Sequence, residues 1–136
     1  MTTIAERIVL DTDVVSRLLR GSLTHEVTQR LTGAVLLVTF VTVGELFRGA
    51  AHARWGPRRI ATLTSWLEEV PAIPGDPIVA RRWGELTGLA LRAGRPLPAN
   101  DAWIAACCLV HDVALATYNR RDFDTIDELE LITAAS

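Results

Sequence analysis

Short apolar runs alternate with amphipathic stretches along this chain, and that alternation constrains the fold more than any other feature of the sequence. Arg7–Asp11 contains a β-branched apolar core, Ala34–Phe40 is largely apolar and carries no charge, and Val113–Tyr118 is similar. Strands that are buried on both faces have this composition. Because strands that alternate with helices favour a parallel sheet covered on both faces, we predict an α/β fold.

Helical periodicity and turn residues define the elements between these runs. The predicted helices are Val14–Arg20, a helix capped by Ser22 or Thr24 that reaches about Leu31, a helix from Thr42 to about Ala53, Arg58–Glu69, Ile78–Arg92 and Asn100–Val110. The spacing of Thr42 and Glu45 is typical of a capping box. Val70–Ile73 and Glu130–Thr133 are candidate short strands, so the predicted sheet has four to five strands.

Length and composition narrow the class of protein. The chain has 136 residues, which suits a single domain over residues 1–136. Its net charge of -2 predicts no strong overall attraction to nucleic acid, although a local patch of arginines could provide one. No apolar run approaches the roughly 20 residues of a membrane span, and charged residues interrupt the N-terminus, so we expect a cytoplasmic protein. The adjacent Cys107 and Cys108 are expected to be buried thiols.

Acidic residues follow the predicted strands or begin the predicted helices. These candidates are Asp11, Glu45, Asp101 and the pair Asn119 and Asp122. Ligands bind to such sheets beyond the carboxyl ends of the strands, so these side chains could converge there. Carboxylates that are held together repel one another unless a cation neutralises them, and Mg²⁺ or Mn²⁺ takes such oxygen ligands.

Each acidic residue also has a purely structural interpretation. Asp11 and Asp13 could cap the helix that follows them, and Glu45 could be the partner of Thr42 in the capping box. Asp101 could be a favourable charge in the first turn of its helix, and Asp122 could be a turn residue. Taken singly these are weak signals, and their joint placement at strand ends and helix starts gives them weight.

The opening stretch IVLDTDVV resembles two enzyme families. In the haloacid-dehalogenase-like phosphatases an apolar strand leads into a similar motif, in which Asp11 would be the nucleophile and Asp13 the general acid. That family carries a basic residue, usually lysine, before its last acidic motif, whereas all 14 basic residues here are arginines. The final acidic motif of that family is also missing.

The second resemblance covers nearly the whole chain. LDTDVV, TVGELFRGA and LPANDAWIAACCLVHDVALATYNRRDF occur in the order found in PIN domains, specifically the VapC-type toxin ribonucleases of toxin–antitoxin pairs. The resemblance implies a three-layer α/β/α sandwich around a parallel sheet. It implies an endoribonuclease that uses Mg²⁺ or Mn²⁺ to cleave a structured RNA, such as a tRNA or ribosomal RNA, and so arrests growth. It also implies a VapB-type antitoxin as the partner and a homodimer as the oligomeric state. A PIN-like binding module that has lost catalysis is the alternative.

The resemblance also assigns roles to residues. Asp11, Glu45, Asp101 and Asp122 would be catalytic and metal-binding. Thr12, Thr117, Asn119 and Asp13 would support them, and Asn119 departs from relatives that carry an aspartate there. Arg48, Arg120 and Arg121 are candidates for contacts to RNA phosphates.

The remaining aromatic and histidine residues carry weaker predictions. The four tryptophans, Trp55, Trp66, Trp83 and Trp103, could stack on bases, but three of them lie in apolar helical patterns, which favours packing or a dimer or antitoxin interface. The three histidines have no ligand spacing and receive no role.

Overall fold

The computed structural model describes residues 4–134. In chain order the elements are β1 (Arg7–Leu10), α1 (Thr12–Arg20), α2 (His25–Leu31), β2 (Val35–Thr39), α3 (Phe40–His52), α4 (Pro57–Glu69), β3 (Ala72–Ile73), α5 (Pro77–Arg92), α6 (Ala99–His111), β4 (Ala114–Ala116), a 3₁₀ turn (Arg120–Asp122) and β5 (Leu131–Ile132). The strands form one sheet in the order β3-β2-β1-β4-β5. All neighbouring strands are parallel, which confirms the predicted parallel sheet.

Successive residues of the short strands point to opposite faces of the sheet and build two cores. Val9 and Leu115 pack with α5 and α6, including the fully buried Val79 and Ile104. Ile8, Leu10 and other strand residues pack on the opposite face with α1, α2 and α4, while α3 contributes to both cores. Since both faces are covered, the strands carry continuous apolar runs, and the predicted α/β/α sandwich is confirmed.

Helix starts and stops agree with the sequence patterns at most positions. Thr24 caps α2 by accepting a hydrogen bond from the backbone N–H of Val27. Gly21 ends α1 in the left-handed conformation, with φ of 69°, which glycine adopts without steric cost. Cys107 and Cys108 are buried free thiols, as expected.

The predicted capping box at Thr42 and Glu45 is wrong. Strand β2 ends at Thr39, whose hydroxyl accepts a hydrogen bond from the N–H of Thr42 and caps α3 from there. Thr42 therefore lies inside the first turn of the helix and is fully buried. The apolar strand ends one residue earlier than predicted, because Phe40 is already helical, and this frees Glu45 from any capping role.

Candidate active site

Asp11 lies at the carboxyl end of β1 and is fixed on two sides. Its side chain accepts a hydrogen bond of 2.8 Å from the backbone N–H of Thr12 and another of 2.8 Å from the hydroxyl of Thr117, which follows β4. Its own backbone N–H donates to the carbonyl of Ala116 at 2.9 Å. The residue is only 6% exposed. It is also the N-cap of α1, so the capping role and a position at the site are compatible.

Thr12 connects Asp11 to Glu45. While its backbone N–H contacts Asp11, its hydroxyl donates to Glu45 Oε1 over 2.7 Å and lies 3.0 Å from the hydroxyl of Thr42. A single threonine thus orients two carboxylates, one at the end of β1 and one in α3. Thr12 and Glu45 are 33 residues apart along the chain. The contribution of Thr42 was missed by the sequence analysis, because its polar side chain was assigned to a helix cap.

Asp13 points toward the end of β4. One carboxylate oxygen accepts a hydrogen bond of 3.2 Å from the backbone N–H of Tyr118. The other oxygen is buried and finds no hydrogen-bond partner within residues 4–134. Burial raises the pKa of Asp13, and the charge of Asp122 adds to that shift, while the Tyr118 N–H and Arg17 oppose it.

Asp101 lies in the first turn of α6 and is half-buried. Burial raises its pKa to about 6, and the negative charges of Asp122, Glu45 and Asp13 raise it further. The first-turn placement predicted from the sequence is therefore present, and the carboxyl group also interacts electrostatically with Asp122, Glu45 and Asp13.

The same electrostatic effect reaches the innermost carboxyl group. Burial raises the pKa of Asp11 to about 7, and the charges of Asp13 and Asp101 add to the increase. Hydrogen bonds from Thr117 and from the Thr12 N–H act in the opposite direction, because they stabilise the charged form.

We call these five carboxyl residues the acidic cluster: Asp11, Asp13, Glu45, Asp101 and Asp122. Within residues 4–134, no three acidic, histidine or cysteine side chains are arranged to hold one ion as they stand. The cluster is thus a shared electrostatic environment of oxygen donors rather than a completed set of ligands.

The corner after β4 is more open than the rest of the cluster. The backbone N–H of Asn119 donates to the hydroxyl of Thr117 over 3.0 Å, and the N–H of Asp122 donates to the carbonyl of Asn119 over 3.1 Å. The buried Phe123 anchors the segment, but the side chains of Asn119 and Asp122 are exposed. The sequence prediction placed these residues at the site, and the structure puts them at its rim.

The arginines with predicted phosphate contacts occupy different surroundings. Arg48 is exposed and lines a cleft together with Glu45, so it lies beside the acidic cluster. Arg120 borders a depression that is otherwise lined by residues between Phe123 and Leu131 and that contains no residue of the acidic cluster. Arg121 is exposed in the same turn. Of the three, Arg48 is the one that lines a cleft together with a residue of the acidic cluster.

Comparison with known proteins identifies the family. The model of the PIN-domain family matches residues 8–129. The chain belongs to the PIN-domain family. It is 26% identical over 125 residues to Ribonuclease VapC1 of Haemophilus influenzae, covering 90% of this chain and 93% of that protein. It is 32% identical over 108 residues to Ribonuclease VapC4 of Mycobacterium tuberculosis, covering 76% of this chain and 81% of that one.

A solved structure supports the same family membership. VapBC-5 of Mycobacterium tuberculosis, a member of the VapBC family of toxin-antitoxin systems, superposes with a TM-score of 0.70 at 27% identity, over 94% of this chain and 98% of that one. The PIN domain is thus of the VapC type, as the sequence predicted, and this membership decides against the phosphatase alternative for Asp11 and Asp13. No helix within residues 4–134 is both long and apolar enough to cross a membrane.

Proposed function

We propose that this VapC-type PIN domain is a metal-dependent endoribonuclease, the toxin of a toxin–antitoxin pair, which cleaves a structured RNA and thereby stops growth. The observation that carries the proposal is the convergence of carboxylates from four separate segments. Thr12 ties Asp11 to Glu45, and Asp101 and Asp122 lie within reach of the same electrostatic field. The ribonuclease names of the VapC relatives support the choice of substrate.

The donor set suits a hard divalent cation. It is all oxygen, and two of its members have pKa values raised to about 7 and about 6, which an added positive charge would lower again. We assign Asp11, Glu45, Asp101 and Asp122 to the site that holds Mg²⁺ or Mn²⁺, with the exposed Asp122 at its rim contributing mainly charge. When bound, such an ion supplies a more acidic water and offsets charge on a phosphoryl oxygen.

The protein's own residues orient the reacting groups. Thr117 and the Thr12 N–H keep both oxygens of Asp11 in place, and the Thr12 hydroxyl does the same for Glu45. Hydrogen bonds of this kind fix the orientation of metal ligands. Their loss typically lowers metal affinity or activity by tenfold to a hundredfold, which corresponds to about 1–3 kcal/mol. We assign Arg48, which lines a cleft together with Glu45, to a contact with a phosphate of the RNA.

The assembly is part of the same proposal. The VapBC-5 neighbour belongs to a toxin–antitoxin system, which supports a VapB-type antitoxin as the partner of this chain. The cytoplasmic location and the homodimer expected from the sequence belong to the proposal as well.

The test compares the same substitution at an aspartate of α6 and at the aspartate that immediately follows this helix. Asp101→Asn removes a charge from the acidic cluster, whereas Asp112→Asn changes the exposed C-cap residue, whose left-handed φ of 51° asparagine also tolerates. We expect Asp101→Asn to lose RNA cleavage by on the order of a thousandfold and to relieve growth arrest on expression, since several kcal/mol of stabilisation disappear. Asp112→Asn should remain fully active.

Metal removal completes the test. Wild-type protein should cleave RNA with Mg²⁺ or Mn²⁺ and lose that activity with a chelator. Full cleavage by Asp101→Asn, or cleavage that is indifferent to the chelator, would remove the metal-site assignment. A wild-type protein that neither binds Mn²⁺ nor cleaves RNA would instead support the catalytically inactive binding module.

A further inference from the structure

An open cleft of about 340 Å³ lies directly beside the acidic cluster, between the start of α3 and the start of α6. Its walls are formed by Phe40, Val41, Gly44, Glu45, Arg48, Asn100 and Trp103. Glu45 belongs to both the cleft and the acidic cluster, and Asn100 immediately precedes Asp101 in the chain. A molecule in the cleft would therefore touch Glu45, one of the side chains that we assign to metal binding.

Aromatic rings on one side of the cleft are held in fixed positions. Trp103 stacks on Trp83 with centroids 4.8 Å apart and an interplanar angle of 12°, and Phe40 meets Trp103 edge to face at 5.5 Å. The indole N–H of Trp83 donates to the carbonyl of Ala99 over 3.3 Å. These contacts build a platform whose outer member, Phe40, is still 37% exposed.

Gly75 explains why Phe40 can sit where it does. A Cβ at this position would come within 2.7 Å of the Phe40 ring, so the ring lies directly against the glycine backbone. A side chain at this position would force the ring to move. The segment between β3 and α5 therefore packs directly against Phe40.

The polar residues of the cleft complement that surface. Arg48 and Asn100 are both exposed and lie on its walls with the aromatic rings. An asparagine amide can donate to and accept from a base edge, and an arginine can pair with a phosphate. Aromatic stacking combined with such groups is the usual way in which proteins hold an unpaired base of RNA.

We propose that this cleft binds the nucleobase adjacent to the cleaved phosphodiester, with Phe40 and Trp103 as the stacking surface and Asn100 at the base edge. The proposal rests on the ribonuclease function above and names the part of the protein that selects the cleavage site. Phe40 and Asn100 are specificity-determining residues in this assignment, while the chemistry stays with the acidic cluster.

An interface with another protein chain is the competing use of these aromatic residues. Phe47 distinguishes a nucleobase site from a protein interface. Like Phe40 it lies on α3 and is 37% exposed, but it does not line the cleft. A protein interface along α3 would involve both phenylalanines. The shared Glu45 wall and the polar residues beside Phe40 favour the nucleobase.

The experiment measures RNA binding in the cleavage-deficient Asp101→Asn protein, so that affinity is read without turnover. Phe40→Leu keeps apolar volume but removes the aromatic face, and Phe47→Leu is the matched control. The probes are a fluorescent single-stranded oligoribonucleotide pool of random sequence and an abasic strand of the same length. Phe40→Leu should weaken binding of the random pool by about five- to 150-fold, the range expected for one stacked base. Binding of the abasic strand should not change, and Phe47→Leu should behave like the parent protein on both probes.

A second variant tests the cleft without altering a packed ring. Asn100→Ala, made in the otherwise wild-type protein, should change the nucleotide preferred next to the cut, read by sequencing the RNA ends. Equal effects of Phe40→Leu and Phe47→Leu, or an equal loss of binding to the abasic strand, would overturn the proposal. So would an unchanged cut-site preference in Asn100→Ala.

The oligomeric state and the parent activity separate the remaining outcomes. Dissociation of a dimer by both leucine variants, measured by sedimentation, would assign the aromatic surface to a protein interface. A wild-type protein that cleaves no RNA contradicts the proposed function by itself. An active wild type whose RNA affinity ignores Phe40 contradicts only the nucleobase cleft.

Discussion

The two ends of the acidic cluster differ in how firmly the protein holds them. Asp11 is 6% exposed and accepts hydrogen bonds at both carboxylate oxygens, from a backbone N–H and from Thr117. Asp122 lies in a 3₁₀ turn, and its side chain is exposed. The turn itself is anchored by the buried Phe123 and by the hydrogen bond from Asn119 to Thr117, so the backbone is fixed while the carboxylate is not.

This contrast indicates that the inner and outer carboxylates have different roles within one site. The inner carboxylate is positioned before any ligand arrives, but its burial opposes ionisation and raises its pKa to about 7. The outer carboxylate keeps the solvation of an exposed side chain and contributes mainly charge. Thr117 connects the two ends, because its hydroxyl donates to Asp11 and accepts from the Asn119 N–H.

The largest expected difference between the two ends is in catalysis. Asp11→Asn keeps the size of the side chain but removes its charge, and we expect RNA cleavage to fall by on the order of a thousandfold, equivalent to about 4 kcal/mol. Single-turnover cleavage rates at saturating Mg²⁺ measure the effect. A residual rate within tenfold of wild type would show that the inner carboxylate is only a helix cap.

The pH dependence of stability should come from the inner end. The pKa of Asp11 is about 7 in the folded protein and about 3.9 in an unfolded chain, so the folded state binds an extra proton between those values. This group's contribution to stability is full below about pH 4 and is lost as the pH rises toward 7. Asp11→Asn lacks this loss, so its free energy of unfolding should rise relative to that of wild type by about 4 kcal/mol from below about pH 4 to above about pH 7, measured by denaturant titration.

The control for the pH experiment is Asp112→Asn, which removes one negative charge from an exposed site. Its free energy of unfolding should follow that of the wild type across the range. If Asp11→Asn also runs parallel to the wild type, burial does not penalise the inner carboxylate and the contrast with the outer end disappears.

The connection through Thr117 should give an intermediate effect. Thr117→Val has nearly the same shape but lacks the hydroxyl that orients Asp11 and accepts from Asn119. We expect Mn²⁺ affinity and RNA cleavage to drop by about tenfold to a hundredfold. Thr117→Ser retains the hydroxyl and should restore both. Equal losses in valine and serine variants would point to packing rather than to the hydrogen bonds.

The smallest effect is expected at the outer end. Asp122→Asn removes an exposed charge, and since exposed charge interactions contribute about 1 kcal/mol or less, cleavage should fall no more than about fivefold and less at high salt. Asp124→Asn, a change at the neighbouring exposed aspartate, is the control. A loss as large as that of Asp11→Asn would show that both ends hold the metal equally.

Sequence patterns predicted the alternating elements well because burial on both faces of the sheet leaves a strong signal. Ala34–Phe40 contains no charged residue, and the strand found there, Val35–Thr39, is covered by helices on both sides. Local hydrogen bonding is harder to assign from spacing alone. Thr39 and Thr42 both stand where a cap could form, and only the end of the strand determines which threonine is used.

The sequence by itself determined the order of strands and helices and the acidic residues at their ends, because hydrophobic periodicity and turn residues act over a few neighbouring positions. Tertiary structure decided which groups meet. Thr12 reaching Glu45, Thr117 reaching Asp11 across 106 positions, and Phe40 lying against Gly75 beside the acidic cluster all depend on how distant segments pack. Such contacts leave no local pattern, since each residue would look the same in the sequence whether or not its partner were near.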